Sequence, residues 1–580
     1  MRYQRLGIVG LGLLSVLGAA AAFRSTCGDC EGQNISAIGE RHPDEQAYED
    51  AFNEFQPALV VDGALDGGSG DNDPLTLFGD DGNQTTTTSS DGSSTSGNPD
   101  SSTTTASSSA SSTTLVGQTE TSTTDPGGPT TAPATTVVQT TKVTTGAATE
   151  TTAVQATTTA APTTTAAPPA VNSNVPVSGA KIYVNPVGGN DGNDGTSEST
   201  ALKTVQSAFR RVQPGQTIYL MSGDYWENKT PGQVHFHLFD KSGRSDAWIR
   251  VAAAPGHRPV LHATNGSGLL IQGDYIEVSG LTIKGSGFST SNSWGVGISV
   301  GDSHHVRLIG NVVSGMPVSG ISAVRSSNVH VIDNVVHDNA FWSSLQGSGI
   351  SFFTQANHGQ GADFAGYHDV IMGNRVFRNE NKVNSQFQSY PIKTDGNGII
   401  IDENRKQGFS GRTLIANNLV YDNGGRGIIA YASNNVDIFF NTSYHNGRTS
   451  DLIGGPIEMA TGRSGNIRFY HNIAWARSGI PAFSMSFEMT GSVESSGNIW
   501  VTNKPHGDES RGSNNILTTT NPGLRNPTTG GGADFRPNWG TSLIGRSGSG
   551  QGVVPNDIVG TSRGGSAEPG AFEAEAGSGR

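Results

Sequence analysis

One residue recurs in this chain with enough regularity to fix its architecture. An asparagine closes a short β-branched run at Val306-Arg-Leu-Ile-Gly-Asn311, Val329-His-Val-Ile-Asp-Asn334, Val370-Ile-Met-Gly-Asn374 and Leu414-Ile-Ala-Asn-Asn418. It returns at Val436-Asp-Ile-Phe-Phe-Asn441 and Ile467-Arg-Phe-Tyr-His-Asn472, and in degenerate form at Gly497-Asn498. Successive asparagines are 23, 40, 44, 23, 31 and 26 residues apart. The shortest step suits one coil of three short strands, and longer steps are the same coil carrying insertions. A single coil cannot bury its apolar face, so coils must stack and pair in parallel. The expected fold is therefore all-β, a single-stranded parallel β-helix solenoid. The asparagine is expected at a turn, where it tolerates a left-handed backbone and its amide bonds to the next coil.

A second marker sets strand phase. Glycine precedes isoleucine at Gly297, Gly320, Gly349, Gly398 and Gly427, and Ile457 is read as continuing that series. Alternation then points Ile399, Ile401, Ile428 and Ala430 inward. Ile400, Asp402, Ile429, Tyr431 and Glu458 are expected to face solvent.

The solenoid is expected over residues 177–575, with 576–580 as a tail. It opens with strands at Lys181–Val184 and Thr217–Leu220 around a short cap helix within 199–212, where Ala201, Val205, Ala208, Phe209 and Val212 keep helical spacing. Asp534-Phe-Arg-Pro537, Ser542-Leu-Ile544, Asp557-Ile-Val-Gly560 and Gly570-Ala-Phe-Glu573 read as the closing segment.

Three other regions precede it. Arg2 and Arg5 before the apolar run Leu6–Leu17, with small residues at Ala19–Ala22, read as a secretion signal over 1–22. That run is short for a permanent membrane span. Residues 23–82 are acidic and mostly irregular. Residues 83–176, rich in Thr, Ser, Ala and Pro, cannot bury enough apolar surface to offset ordering entropy and read as a disordered stalk. The only two cysteines, Cys27 and Cys30, leave the fold independent of disulfides. A formal charge of −14 argues against a nucleic-acid partner. The expected product is a secreted, extracellular or cell-surface monomer without a stable membrane span.

Chemistry is expected where insertions cluster, because inserted loops on one face of a solenoid build its binding site. The insertions 354–367, 380–397 and 403–411 are consecutive and are expected to stack as walls of one groove. They and their neighbours carry His358, Tyr390, Lys393, Asp395, Asn397, Asp402, Glu403, Arg405, Arg412, Arg426, Tyr431 and Glu458.

The coil repeat and both caps, over residues 181–573, resemble the right-handed parallel β-helix superfamily of pectate lyases and related polysaccharide-active proteins. That superfamily contains lyases, hydrolases and epimerases acting on acidic polysaccharides, and non-catalytic adhesins. The resemblance implies an acidic, uronate-containing polysaccharide as partner and cleavage by β-elimination. One lyase family of this fold builds a calcium site from Asp-Gly in one coil and Asp-Asp-Gly-x-Asp in the next. Asp395-Gly396 matches the first piece, so Asp395 is the candidate ligand for Ca2+. Arg426 stands where the second piece has aspartate. For β-elimination the expected base is Lys393, with Arg426 or Arg412 clamping the carboxylate and Tyr431 or Tyr390 protonating the leaving oxygen. Hydrolysis would instead use Asp402 with Asp395 or Glu458. The substrate-binding set is Tyr390, Asn397, Glu403, Arg405, Arg412, Glu458 and His358. The other reading is a non-catalytic adhesin or polysaccharide-binding spike.

Overall fold

The structure, a computed structural model, describes residues 175–226, 236–239, 241–264, 266–286, 295–359, 361–485, 488–538, 540–541, 552–564 and 567–574. The signal, the acidic segment, Cys27 and Cys30, the stalk up to residue 174 and Ser542–Ile544 lie outside the described residues. No helix among the described residues is long and apolar enough to cross a membrane.

Three long parallel sheets wrap the described chain. Sheet A runs from Lys181–Val184 to Val493–Ser496 in eleven strands, sheet B from Gly223–Trp226 to Ile516–Thr518 in eleven, and sheet C from Phe236–Phe239 to Phe483–Met485 in nine. From Thr217–Leu220 to Ile499–Val501 the strands follow one another in the order A, B, C. Register passes from coil to coil without slippage: Val306 pairs with Val329, Val313 with Val336, and Ile399 with Ile428. The inward residues form one continuous core that includes Ile298, Ile321, Ile350, Ile399, Ile401 and Ile428, each almost fully buried. Burying one such side chain stabilises by about 1.5–3 kcal/mol.

The cap forms as a single 3-10 turn at Glu198–Thr200 and a helix at Val205–Arg211. The helix is capped by the Thr204 side chain, which accepts from the Ser207 amide. At the other end Asp534–Pro537 pairs antiparallel with Leu524–Asn526, outside the solenoid.

The asparagine ladder is present and longer than its sequence signature. Asn311, Asn334, Asn374, Asn418, Asn441, Asn472 and Asn498 each donate Nδ2 to the Oδ1 of the next asparagine, the last being Asn515, at 2.9–3.1 Å. The left-handed residue is not the asparagine but the one before it: Gly310, Asp333, Gly373, Asn417, Phe440, His471 and Gly497 all have φ between 54° and 72°. The turn is made by that residue, and the asparagine amide is thereby freed to bridge coils.

A second ladder runs five residues later. Asn339, Asn379, Asn423 and Asn446 bond in series at 2.7–2.9 Å. It ends on Glu458, whose carboxylate accepts from the Asn446 amide N at 2.9 Å and from Ser443 Oγ at 2.7 Å. This corrects the sequence-based register. Met459, not Ile457, pairs with Ile428, so Glu458 occupies the place that glycine holds in earlier coils and points into the ladder, not to solvent.

Candidate functional site

The three insertions do not stack on one side. Those at 354–367 and 403–411 leave sheet C for sheet A, whereas 380–397 enters sheet C from sheet B. They therefore flank the outer face of sheet C from opposite edges. On one edge, Asn357 donates to Gly408 O at 2.8 Å and accepts from the Ser410 amide at 3.0 Å, joining the first and third insertions. On the other, Ile453 N donates to Lys393 O at 2.9 Å, joining the second insertion to the loop before Met459.

Between these edges stand three adjacent strands, Ile350–Phe353, Ile399–Asp402 and Ile428–Tyr431. Phe353, Asp402 and Tyr431 are in register. All three point away from the core as alternation requires, yet all three are buried, as are Ile400 and Ile429. The expectation that this face meets solvent is thus overturned for Ile400, Asp402, Ile429 and Tyr431. Ile400, Ile429, Tyr431, Ile457 and Ala460 form a separate apolar cluster outside the main core.

Asp402 is the anomaly of this face. Its carboxyl is wholly buried and neither oxygen has a hydrogen-bond partner. Burial, then the neighbouring Glu403 and Asp395, push its pKa well above the ordinary carboxylate range. Burial raises Glu403 too, against the pull of Lys406, whose Nζ lies 2.6 Å from its Oε2. Burial raises Tyr431, with the nearby Arg463 guanidinium opposing.

Asp395 lies one corner away in a left-handed conformation, φ 52°. Asn397 Nδ2 donates to its Oδ1 at 3.0 Å, and Asn397 Oδ1 accepts from the Arg426 amide at 2.9 Å. Burial raises Asp395 to about 7 despite the Arg426 charge, and burial lowers Arg426 to about 10. The Arg426 guanidinium donates to the carbonyls of Ile453 and Gly455 at 3.1 and 3.2 Å. It is a buried brace for the corner and not an open clamp. These residues do not fit a calcium ion, which takes six to eight oxygens. The Asp395 carboxylate faces an amide and a guanidinium, and no three His, Cys, Asp or Glu side chains among the described residues converge to hold a metal.

Other residues singled out from sequence divide between this face and elsewhere. Lys393 sits at the edge of the face, its Nζ 2.5 Å from Asp451 Oδ2. Tyr390 is 48% exposed on the same insertion. Arg405 lies at the opposite edge, with Nε donating to Ala432 O at 3.2 Å. Arg412 belongs to another surface, where it pairs with Asp437 on the outside of sheet A. His358 also lies over sheet A, its amide donating to Ser327 Oγ at 3.2 Å. Glu458 is removed from the site by the ladder it caps. Sequence reasoning missed Arg463, which follows the strand Met459–Gly462 and stands beside the Tyr431 phenol. The register error at Ile457 hid it, since correct alignment places Gly462 one coil beyond Tyr431 and Arg463 next to it.

The coil architecture defines the class: the described domain is a parallel β-helix, with the outer face of sheet C flanked by its insertions. Residues 182–464 match the family described as the Pel9A-like right-handed β-helix region. A stretch of 120 residues, 19% of this chain, is 30% identical to pectate lyase L of Dickeya dadantii. The chain covers 28% of that protein's length. Among solved structures, pectate lyase Pel9A is 21% identical over 68% of this chain and 96% of its own, with a TM-score of 0.43. A rhamnogalacturonan lyase is 15% identical over 55% of this chain and 87% of its own, with a TM-score of 0.35.

Proposed function

We propose that this protein is a polysaccharide-active enzyme that cleaves a uronate-containing chain by β-elimination at the outer face of sheet C. The observation that carries the reading is Asp402. A buried carboxyl without a partner costs about 1–3 kcal/mol, and no structural contact offsets it. Such a cost is retained where the group does chemistry. In its deprotonated form a carboxyl in apolar surroundings is a strengthened base, suited to taking the proton next to a uronate carboxylate. As that proton leaves, electrons shift to form the carbon–carbon double bond and the glycosidic oxygen departs. Tyr431, one coil on, supplies the proton that oxygen needs. Arg405 and Arg463, the latter ion-paired with Glu488, stand at the edge nearest Tyr431 and supply positive charge for the substrate carboxylate and the developing negative charge. Asp402 thus replaces Lys393 as base, and Arg463 replaces Arg426 and Arg412 as clamp. No step of this elimination uses a metal. The enzyme would act outside the cytoplasm and as a monomer.

Binding without catalysis is the second reading. The near-complete burial of Asp402 and Tyr431 favours it, because a sugar must displace whatever covers them. The test is incubation of the full chain with a panel of polyuronides, following ultraviolet absorbance of unsaturated ends with and without chelator. Absorbance that grows with wild-type protein, withstands chelator and vanishes in Asp402→Asn supports the lyase. Retention on a polyuronide gel with no product from any polymer leaves binding only. Neither product nor retention refutes both.

A further inference from the structure

We propose that the outer face of sheet B carries a second, non-catalytic polysaccharide site at its first coils, where Trp226 stacks on a sugar ring and Lys284 pairs with a uronate carboxylate. Trp226 ends the strand Gly223–Trp226 and is 58% exposed. A lone exposed apolar side chain needs no explanation, but this one is held in place. Its ring lies flat on His262 of the next coil, with centroids 3.8 Å apart and planes 6° apart. His262 is buried, and its Nε2 lies 2.6 Å from Asp224 Oδ1. A ring fixed before binding loses little freedom when a ligand settles on it. Its open face suits the apolar C–H face of a pyranose.

Register and charge name the ligand class. Trp226, His262 and Lys284 are in register on the neighbouring strands Gly223–Trp226, Pro259–Thr264 and Thr282–Ser286. Neighbouring strands lie about 4.8 Å apart, so the Lys284 backbone stands about 10 Å from that of Trp226 along the solenoid axis. Asp224 is the only acid in these three strands, and His262 is set against it. Lys284 is exposed, as is Arg258 at the entrance to the second strand. On a chain of formal charge −14, this strip presents cations beside an open aromatic ring. That combination fits a polymer with both apolar ring faces and carboxylates.

The same outward row continues to Phe377, Tyr421 and Tyr444. There the chain covers itself. Tyr444 Oη donates to Pro527 O at 2.8 Å, and the Phe535 ring lies 5.1 Å from that of Tyr444 and 5.9 Å from that of Tyr421. The closing segment thus occupies the later coils of this face and leaves Trp226 open at the first. A polymer lying along the open strip is kept close to the enzyme, which raises its effective concentration at the candidate site. The choice of a uronate chain rests on the reading of Asp402; the platform itself does not, and it lies on a different sheet.

The experiment is affinity electrophoresis of the full chain, with Asp402→Asn as parent so that turnover does not erase the polymer. Gels contain polygalacturonate or the neutral hydroxyethylcellulose. Trp226→Ala should weaken retention on polygalacturonate about tenfold, and Trp226→Tyr, which keeps an aromatic face, should restore most of it. Lys284→Ala should weaken it a few-fold, on the charged polymer alone. With Asp402 intact, all three substitutions should leave kcat/KM on a short oligouronide within about twofold. Retention unchanged by Trp226→Ala, or lost equally in Trp226→Tyr, overturns the platform, as does a parent that polygalacturonate does not retain. Equal retention on both polymers that ignores Lys284→Ala overturns the uronate assignment. Trp226-dependent retention with no product from the wild type leaves the platform standing and refutes the lyase; product with Trp226-independent retention does the reverse.

Discussion

If Asp402 is kept for chemistry and not for the fold, removing its carboxyl should stabilise the protein while abolishing function. Asp402→Val tests this. The side chain lies between Phe353 and Tyr431 in register and near Ile400 and Ile429, all buried. Valine is compact, prefers strands and leaves no unpaired polar atom. Removing an unpartnered buried polar group should therefore gain about 1–3 kcal/mol. For a domain of roughly 400 residues the unfolding entropy is about 0.8 kcal/mol/K, so the melting temperature should rise by about 1–4 °C. The gain should depend on pH. The folded pKa of Asp402 is raised above its unfolded value, so the wild type keeps this contribution in acid and loses it as pH rises through the folded pKa. The stability gap between variant and wild type should widen from acid to alkaline pH. Calorimetry of both proteins across that range is the assay. A variant less stable than wild type by more than about 1 kcal/mol, or a gap that narrows with rising pH, would show that Asp402 holds the fold together and would remove the main support for the site.

Three further outcomes are expected. Asn418→Ala removes donors to Ile371 O and Asn441 Oδ1 and the acceptor used by Asn374, and should cost about 3–5 kcal/mol, whereas the exposed Asn503→Ala should stay within about 0.5; denaturant midpoints separate them. Glu458, raised by burial to about 7, favours folding below its unfolded pKa and loses that contribution as pH rises through 7, by up to about 3 kcal/mol; Glu458→Gln should flatten the stability profile in that window, as thermal melts will show. Lys393→Ala should change stability by less than about 1 kcal/mol, because its partner Asp451 is half exposed, and should leave polyuronide turnover within about threefold. A turnover loss of a thousandfold would restore Lys393 as the base.

The asparagines between 311 and 498 were enough to predict a solenoid and its parallel pairing, and the glycines before Ile399 and Ile428 its inward residues. That legibility has a local cause: each coil repeats one short-range pattern, and stacking only requires that the pattern recur. The second ladder was equally legible, five residues behind the first, but Met316 and Arg477 interrupt it at its ends. The chain alone could not reveal that Glu458 closes this ladder, because a carboxylate at a glycine position reads as a surface charge until Asn446 is placed beneath it.

What sequence determined by itself is thus the repeat, and through it the coil, the core and the sites of insertion. What tertiary structure decided is where each insertion goes. Loop length says nothing of which corner a loop turns, so Arg412 and His358 were grouped with residues that lie across another sheet, and Arg463 was left out. Burial was decided there too. Alternation correctly turned Asp402 and Tyr431 away from the core, but only the neighbouring coils and edges determine whether an outward residue meets water. For Asp402 they do not let it, and the unpartnered carboxyl that results is the physical basis of the candidate site.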